Sequence, residues 1–242
     1  MKKILSFVMI AVVLLFCNAC RQFPGETQPI TKEISVQRAE NPDAGIVSLP
    51  DTPVTVYTEA VMEFLSPLED YSWERKYDPE FVMIHFTSAV VEHRDDPYGE
   101  AYIRQLFTDY GVSTHYLIQR DGTVYCYIPE DRVAWHAGIG EWLDDPKYSN
   151  TMNEFAIGIE LAAIGSGADM EKYLPDGTYE TLEESLIGFT EAQYVALDGL
   201  VTDLCRRYGI LRDAQHIIGH DAYSPEKNDP GELFSWDRIL EK

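Results

Sequence analysis

The chain has 242 residues, and with 45% of them apolar it can bury one sizeable core, as expected for one domain with an appendage. Its formal net charge of −22 argues against nucleic acid or an anionic membrane surface as a partner, because like charge repels phosphate. The acidity is typical of an exported, soluble monomer, and it identifies no substrate.

The N-terminus predicts an export signal over residues 1–19. Two lysines precede an apolar stretch at 4–16, and Cys-Asn-Ala-Cys follows at 17–20. A stretch of about 13 residues is too short to cross the membrane core, which takes ~20. The Ala19-Cys20 step resembles a bacterial lipoprotein signal, which would leave Cys20 as the lipidated first residue and a lipid anchor as the only membrane attachment. Ordinary cleavage after Ala19, giving a periplasmic or secreted protein, stays open.

Two further segments precede the catalytic domain. Residues 20–53 are polar and interrupted by proline and glycine, so they predict a flexible linker. Residues 54–80 predict an N-terminal extension that packs on the domain, with a short helix in VYTEAVMEFL. The catalytic domain is expected over residues 81–242.

The first half of this domain alternates strands and a helix. The apolar run FVMIHFT predicts a buried strand, so His85 lies near a strand's C-terminal end, where open sheets place ligands. Apolar residues at helical spacing after Pro97 predict an amphipathic helix that Gly111 ends. STHYLIQ and TVYCYI predict a hairpin around Asp121-Gly122.

The second half adds a strand in EFAIGIELA, whose apolar character Glu160 interrupts. Residues 165–188 predict a surface insertion bordering the substrate groove. Thr190 and Gln193 form a capping box that opens a helix ending at Gly209, and HIIG is a short strand. The sum is an α/β fold, a mixed and mainly central β-sheet flanked by α-helices.

Cysteine usage leaves one question open. Besides the two cysteines of the signal, the chain has Cys126 on an expected strand and Cys205 on an expected helix. The oxidising compartment allows a disulfide between them, and two buried free thiols fit the pattern equally well.

Three residues offer the ligands of a catalytic zinc site. His220 and Asp229 lie nine residues apart in the run GHDAYSPEKNDPG, and His85 is the third. Two imidazoles and one carboxylate leave a fourth coordination position for water, as catalytic zinc sites do. His93 and His216 are expected at the surface.

The chain resembles the type-2 family of zinc-dependent N-acetylmuramoyl-L-alanine amidases, related to phage lysozyme-like amidases and peptidoglycan recognition proteins. The matching pieces occur in family order between about Phe81 and Ile239: IHFT, STHYLIQRDGTVYCYIPEDRVAWHAG, NEFAIGIEL, TEAQY and GHDAYSPEKNDPG. The resemblance implies that family's fold, and Zn²⁺ bound by His85, His220 and Asp229.

The resemblance also implies the roles of five other residues. Glu160 matches the family's catalytic acid/base and Lys227 the lysine that stabilises the oxyanion. His136 matches a family histidine near the substrate cleft. His136 and Trp135 are expected to bind substrate, with assistance to the oxyanion as the alternative for His136, and His115 is expected to orient a ligand or to pack in the core.

Elementary chemistry agrees with these roles. A secondary amide resists hydrolysis, and zinc lowers the pKa of a bound water from ~15.7 to ~7. Burial among isoleucines is expected to raise the pKa of Glu160, so that it can accept a proton from water and return it to the leaving nitrogen.

The sequence therefore predicts an exported zinc amidase that cleaves between N-acetylmuramic acid and L-alanine in peptidoglycan or muropeptides. Two alternatives stay open: a peptidoglycan-binding module without catalysis, and a zinc peptidase that cuts the stem peptide. Also open are polymeric wall against anhydro-muropeptide as substrate, the stem-peptide preference and the Gram type of the host.

Overall fold

The computed structural model describes residues 55–91, 93 and 96–240. The expected signal, the lipidation site Cys20 and the linker therefore lie outside the described residues. Within the described part of the chain, no helix combines the length and the apolar character needed to cross a membrane.

Among the residues that the structure describes, eight strands form two sheets. The main sheet has the order β1-β5-β4-β7-β3-β8, and β2 pairs with β6 in a small second sheet. The strands are β1 (Val61–Met62), β2 (Ser72–Glu74), β3 (Phe81–Phe86), β4 (Tyr116–Ile118), β5 (Val124–Cys126), β6 (Arg132–Ala134), β7 (Ala156–Leu161) and β8 (Ile217–Gly219).

The described part of the chain also contains four α-helices: α1 (Glu100–Tyr110), α2 (Gly167–Met170), α3 (Glu191–Tyr208) and α4 (His220–Tyr223). The two long ones end where the sequence predicts. Gly111 and Gly209 adopt left-handed conformations, with φ of 62° and 71°, which glycine reaches without a Cβ penalty. At the start of α3, Thr190 and Gln193 make the expected capping box.

The direction of the strands brings the ends of four of them together. β4, β7, β3 and β8 run parallel to one another, so their C-terminal ends meet at one edge of the sheet. β5 runs antiparallel to β4, as the expected hairpin requires. In the β3–β7 register, His85 lies opposite Glu160.

The two faces of the sheet pack differently. Successive side chains of a strand point to opposite faces. One face of β3 and β7, which includes Ile84 and Ile159, packs with Leu197 and Leu204 of α3. The other face, which carries Met83 and Ile218, is covered mainly by the segment between β6 and β7. His85 and Glu160 belong to this second face.

The predicted α/β fold class is confirmed, whereas the helix predicted in VYTEAVMEFL is wrong. Val61 and Met62 form a strand parallel to Tyr125 and Cys126. The backbone N–H groups of Glu63 and Leu65 then bond to the carbonyls of Cys126 and Tyr127, at 3.0 Å each. These backbone bonds to the hairpin replace the bonds that a helix would make internally.

Cys126 and Cys205 are both free cysteines in the structure, the first buried and the second half-buried.

Candidate metal centre and active site

Three ligand atoms converge at the C-terminal edge of the sheet. His85 comes from β3, His220 begins α4 directly after β8, and Asp229 follows in the next loop. Their ligand atoms lie within 4.8 Å of one another, and all three residues are buried. Asp229 Oδ2 is 2.9 Å from His85 Nδ1 and 3.1 Å from His220 Nδ1. The structure thus brings together the three residues expected to bind zinc.

The loop from His220 to Asp229 is folded back on itself. The backbone N–H of Asp221 donates to the carbonyl of Asp229 at 2.9 Å, which closes the loop at its base. Gly219 allows this closure, because a Cβ there would lie 2.2 Å from Asp221 Oδ1 and 2.7 Å from the Pro230 ring. Glycine at the end of β8 is therefore a requirement of the close approach.

In His85 and His220, the ring nitrogen that points away from the cluster, Nε2, has a hydrogen-bond partner. His220 Nε2 lies 3.0 Å from the carbonyl oxygen of Ala137, and since a carbonyl only accepts, this nitrogen carries the proton. Its Nδ1 then presents a lone pair to the cluster. His85 Nε2 lies 3.1 Å from His136 Nδ1, which leaves His85 Nδ1 facing the same point.

The protonation states suit a metal site. Burial lowers the pKa of His85 to about 4, and repulsion from His220 acts in the same direction. Burial acts to raise the pKa of Asp229, but the charge and hydrogen bond of His220 and those of His85 outweigh it and hold the pKa well below its usual range. A neutral imidazole and an ionised carboxylate are the forms that bind zinc, so this donor set fits the ion.

Glu160 faces the cluster from the neighbouring strand. Burial raises the pKa of its carboxyl well above the usual value, Asp229 adds to the rise, and Lys227 opposes it. Glu160 Oε2 is buried and has no hydrogen-bond partner among the described residues. A carboxyl held in this way favours the protonated form and is ready for proton transfer.

Lys227 is exposed on the loop between His220 and Asp229. Its charge acts to lower the pKa of both His85 and Glu160. The loop also borders an open cleft of about 510 Å³. The cleft is lined by Asp169, Asp221, Lys227, Asn228, Gly231, Glu232, Phe234 and Trp236.

The three remaining residues singled out from the sequence are more deeply placed. His136 contacts His85 directly and is half-buried. Trp135 is 5% exposed and packs against Trp73 with 5.5 Å between ring centroids. His115 is fully buried, and its ring lies 5.7 Å from that of His136, so it reaches the ligands only through that ring.

The two histidines expected at the surface lie away from the cluster. His93 is exposed, and its Nδ1 lies 2.7 Å from the Asp96 carbonyl oxygen. His216 is half-buried, with its Nδ1 2.7 Å from Asp213 Oδ1.

The insertion at 165–188 packs against the loop that carries Asp229. Asn228 Nδ2 donates to the Asp169 carbonyl oxygen at 3.0 Å, and Lys172 Nζ donates to Asn228 Oδ1 at 3.0 Å. The Asp169 carboxylate accepts from the backbone N–H of Glu232 at 3.3 Å. The insertion therefore supports the ligand loop on both sides of Asp229.

Asn153 is a residue near the site that the sequence patterns do not single out. It is 8% exposed, and its Oδ1 accepts the backbone N–H groups of His136 and Ala137. A polar residue before a buried strand reads equally well as a turn residue. The available signal is its place at the start of NEFAIGIEL, directly ahead of the strand that carries Glu160.

Comparison with known proteins gives consistent matches. The model of the N-acetylmuramoyl-L-alanine amidase family matches residues 75–232. The 1,6-anhydro-N-acetylmuramyl-L-alanine amidase AmpD of Citrobacter freundii is 35% identical over 129 residues, which are 53% of this chain and 55% of that protein. The N-acetylmuramoyl-L-alanine amidase AmiD of Escherichia coli strain K12 is 31% identical over 145 residues, 56% of this chain and 46% of that protein.

A solved structure agrees with these matches. The crystal structure of a selenomethionine derivative of AmpD superimposes with a TM-score of 0.55 at 28% identity, covering 76% of this chain and 94% of that chain. By sequence, this chain spans about half the length of the curated relatives it matches.

Proposed function

We propose that this chain, which belongs to the N-acetylmuramoyl-L-alanine amidase family, hydrolyses the amide bond between N-acetylmuramic acid and L-alanine in peptidoglycan or muropeptides. The observation that carries the proposal is that a possible metal-binding cluster and a glutamate lie together at one edge of the sheet. A buried His-His-Asp cluster lies opposite a half-buried glutamate on the adjacent strand.

The cofactor of this proposal is Zn²⁺, held by His85, His220 and Asp229. When bound, the ion acts as a Lewis acid, polarising the amide carbonyl and acidifying water. Support comes from the donor set, since two imidazoles and one carboxylate are typical of catalytic zinc sites. Further support comes from the hydrogen-bond partners at Nε2 of both imidazoles, which leave Nδ1 of each ring facing the same point.

Proton transfer falls to Glu160. As an ionised carboxylate it accepts a proton from the attacking water, and as a carboxylic acid it returns that proton to the leaving nitrogen. Its burial serves both steps, because a raised pKa makes the two forms closer in free energy near neutral pH.

Charge stabilisation falls to Lys227. The tetrahedral intermediate of amide hydrolysis carries a negative oxygen, and a positive group nearby stabilises it. Support comes from the position of Lys227 two residues before Asp229 and from the effect of its charge on the pKa of Glu160. We assign His136 and the buried Trp135 to the support of the site, with His136 in contact with His85.

The substrate proposal is limited to the bond that the relatives' names share. One name specifies the 1,6-anhydro sugar and the other N-acetylmuramoyl-L-alanine. The proposal therefore covers both sugar forms, with the stem peptide lying in the cleft beside Lys227 and Trp236.

Export and a lipid anchor at Cys20 are a separate part of the proposal. They rest on the charged, apolar and small-residue order of residues 1–20. Palmitate labelling in cells is expected to mark the wild type and to be lost in Cys20→Ala. Equal labelling of the two proteins would contradict the anchor, and it would leave the enzymatic proposal unaffected.

The metal site is tested by zinc content. Asp229→Ala removes one of three ligands, so we expect the purified variant to lose most of its zinc and its amidase activity. Asp221→Asn is the matched control, because Asp221 is an exposed carboxylate of the same motif. Elemental analysis that found wild-type zinc content in Asp229→Ala would contradict the assignment.

A further inference from the structure

The two imidazole ligands depend on one short segment of chain. His85 Nε2 contacts His136 Nδ1 at 3.1 Å, and His220 Nε2 donates to the Ala137 carbonyl oxygen at 3.0 Å. His136 and Ala137 are consecutive. The orientation of both imidazoles is therefore set by the position of a two-residue segment.

This segment lies outside regular structure. β6 ends at Ala134, and the next strand, β7, begins at Ala156. No strand pairing therefore fixes the backbone of His136 and Ala137. Their two N–H groups donate instead to a single acceptor, Asn153 Oδ1, at 3.0 and 2.8 Å.

Asn153 is itself firmly held. It is the middle residue of the 3₁₀ helix Met152–Glu154, in which all three residues are buried. Glu154 on its other side accepts the indole N–H of Trp73 at 2.7 Å, and the Glu154 carbonyl accepts from Arg75 at 2.8 Å. Because this helix is buried and hydrogen-bonded, Asn153 Oδ1 can fix the position of the two N–H groups that donate to it.

The ring of His136 is confined as well. A Cβ on Gly158 would lie 2.6 Å from His136 Cγ, so the ring rests against the backbone of β7. On its other side it meets the ring of His85 edge to face, with centroids 5.1 Å apart. These contacts confine the ring of His136, whereas the hydrogen bond to Asn153 holds its backbone.

We propose that Asn153 is a positioning residue for metal binding: its amide oxygen fixes the His136–Ala137 segment, which in turn orients both imidazole ligands. The inference rests on the zinc site proposed above. Groups that hydrogen-bond metal-bound imidazoles fix their tautomer and ring orientation, and losing them costs about 10–100-fold in metal affinity. Asn153 does not touch the imidazoles itself, but it holds the two residues that bond to them, so it acts on both imidazoles together.

The test is zinc affinity, measured on folded protein by competition with a chromophoric chelator. Asn153→Ala is expected to raise the Kd for zinc about 10-fold or more. Asn153→Asp keeps an oxygen acceptor for both N–H groups and is expected to recover most of the affinity. Wild-type affinity in folded Asn153→Ala would overturn the proposal.

Asn150→Gly is the matched control. Asn150 Oδ1 also accepts one backbone N–H of the connection between β6 and β7, that of Gly140 at 3.1 Å. Glycine suits the positive φ of 60° at position 150. This variant loses a side-chain bond that supports neither imidazole, so zinc affinity is expected to stay unchanged. An equal loss of affinity in both variants would reduce Asn153 to a general structural role and overturn the proposal.

A second variant decides the matter if Asn153→Ala does not fold. His136→Phe keeps a ring against Gly158 but removes the hydrogen-bond partner of His85 Nε2, so weaker zinc binding is expected. Unchanged affinity there would overturn the proposal.

These measurements need no substrate, so they separate the inference from the proposed function. A wild type that binds zinc but releases no peptide would contradict the amidase function while the Asn153 comparison kept its meaning. A wild type that binds no zinc would overturn the site and this inference together.

Discussion

The chemistry of each site residue follows from what lies next to it. Each of the two proposed imidazole ligands has a hydrogen-bond partner at Nε2, and its Nδ1 faces the cluster. Glu160 has no hydrogen-bond partner for Oε2 among the described residues, and its burial raises its pKa. The same edge of the sheet therefore holds the proposed zinc ligands and the proposed proton-transfer group in different environments.

Neutralising Glu160 tests the proton-transfer role. Glu160→Gln keeps the shape of the side chain but removes its ability to carry a proton, so we expect amidase activity to fall about 10²–10⁴-fold. Zinc affinity should stay close to that of the wild type, because Glu160 is not among the three ligands. The measurement is the rate of peptide release from a muropeptide by zinc-loaded protein.

The matched control is Glu154→Gln. Glu154 is a buried glutamate whose pKa burial likewise raises, and its amide variant keeps an oxygen to accept the indole N–H of Trp73. Its activity is expected to stay near the wild type. Substantial peptide release by Glu160→Gln would contradict the assignment.

At this scale, sequence patterns predict the residues that bear the chemistry. His85 could be placed because it ends an apolar strand, and His220 and Asp229 because they share one motif. Asn153 could not be found, because its partners are backbone N–H groups in a loop without periodicity. Trp135 shows the same limit, since no pattern reveals that Trp73 covers it.

Among the elements, helix α3 is bonded to the sheet edge that carries the site through a side chain in its first turn. Gln193 in its first turn is fully buried and donates to the carbonyls of Ile118 and Ala162, at 3.1 and 3.2 Å. These carbonyls belong to the C-terminal ends of β4 and β7. The capping residue thus joins the helix to the strands beside Glu160.

Removing this side chain is expected to cost stability. Gln193→Ala leaves buried backbone groups with fewer partners and opens the capping box, and each lost bond contributes about 1–3 kcal/mol. We expect a loss of about 2 kcal/mol or more in the free energy of unfolding, measured in urea. Gln105→Ala, on the exposed face of α1, should change it by less than about 0.5 kcal/mol. Equal effects of the two substitutions would contradict the account.

Long amphipathic helices and buried strands were predictable from periodicity and stop signals. The segment VYTEAVMEFL was not, because its apolar residues suit a helix or a strand. Its conformation follows from pairing with β5, a contact between residues more than sixty positions apart. Such tertiary pairing overrides weak local preference.

At the scale of the whole molecule, a buried ionic network ties the N-terminal extension to the domain. Glu130 is fully buried, and its carboxylate accepts from Arg207, Tyr208 and Tyr116. The Tyr116 hydroxyl also accepts the backbone N–H of Tyr57 at 2.7 Å. Extension, hairpin and helix α3 therefore meet at one carboxylate.

Breaking this network is expected to destabilise the protein strongly. Arg207→Met leaves a buried carboxylate without its cation, which costs about 3–5 kcal/mol. Adding Glu130→Gln removes the unpaired charge and should recover part of the loss. Urea unfolding of the single and double variants is the measurement.

The neighbouring Arg206 is the control. Its side chain is 71% exposed in its pair with Asp203, so Arg206→Met should change the unfolding free energy by less than about 1 kcal/mol. A small effect of Arg207→Met, similar to that of Arg206→Met, would show that the network is not a stabilising element.

Whole-chain organisation was the least predictable level. The insertion at 165–188 could be recognised as polar and rich in glycine, but its contacts with the ligand loop depend on Asp169 and Lys172, which follow no pattern. Glu130 likewise looks like a surface residue in sequence. Its partners come from three segments that only the fold brings together.

Mass spectrometry of the products formed from a defined muropeptide tests the central claim most directly. Zinc-loaded protein is predicted to release the intact stem peptide with a free amine on L-alanine, together with the sugar bearing its free lactyl carboxylate. Cleavage inside the stem peptide, or tight binding without any product, would contradict the claim.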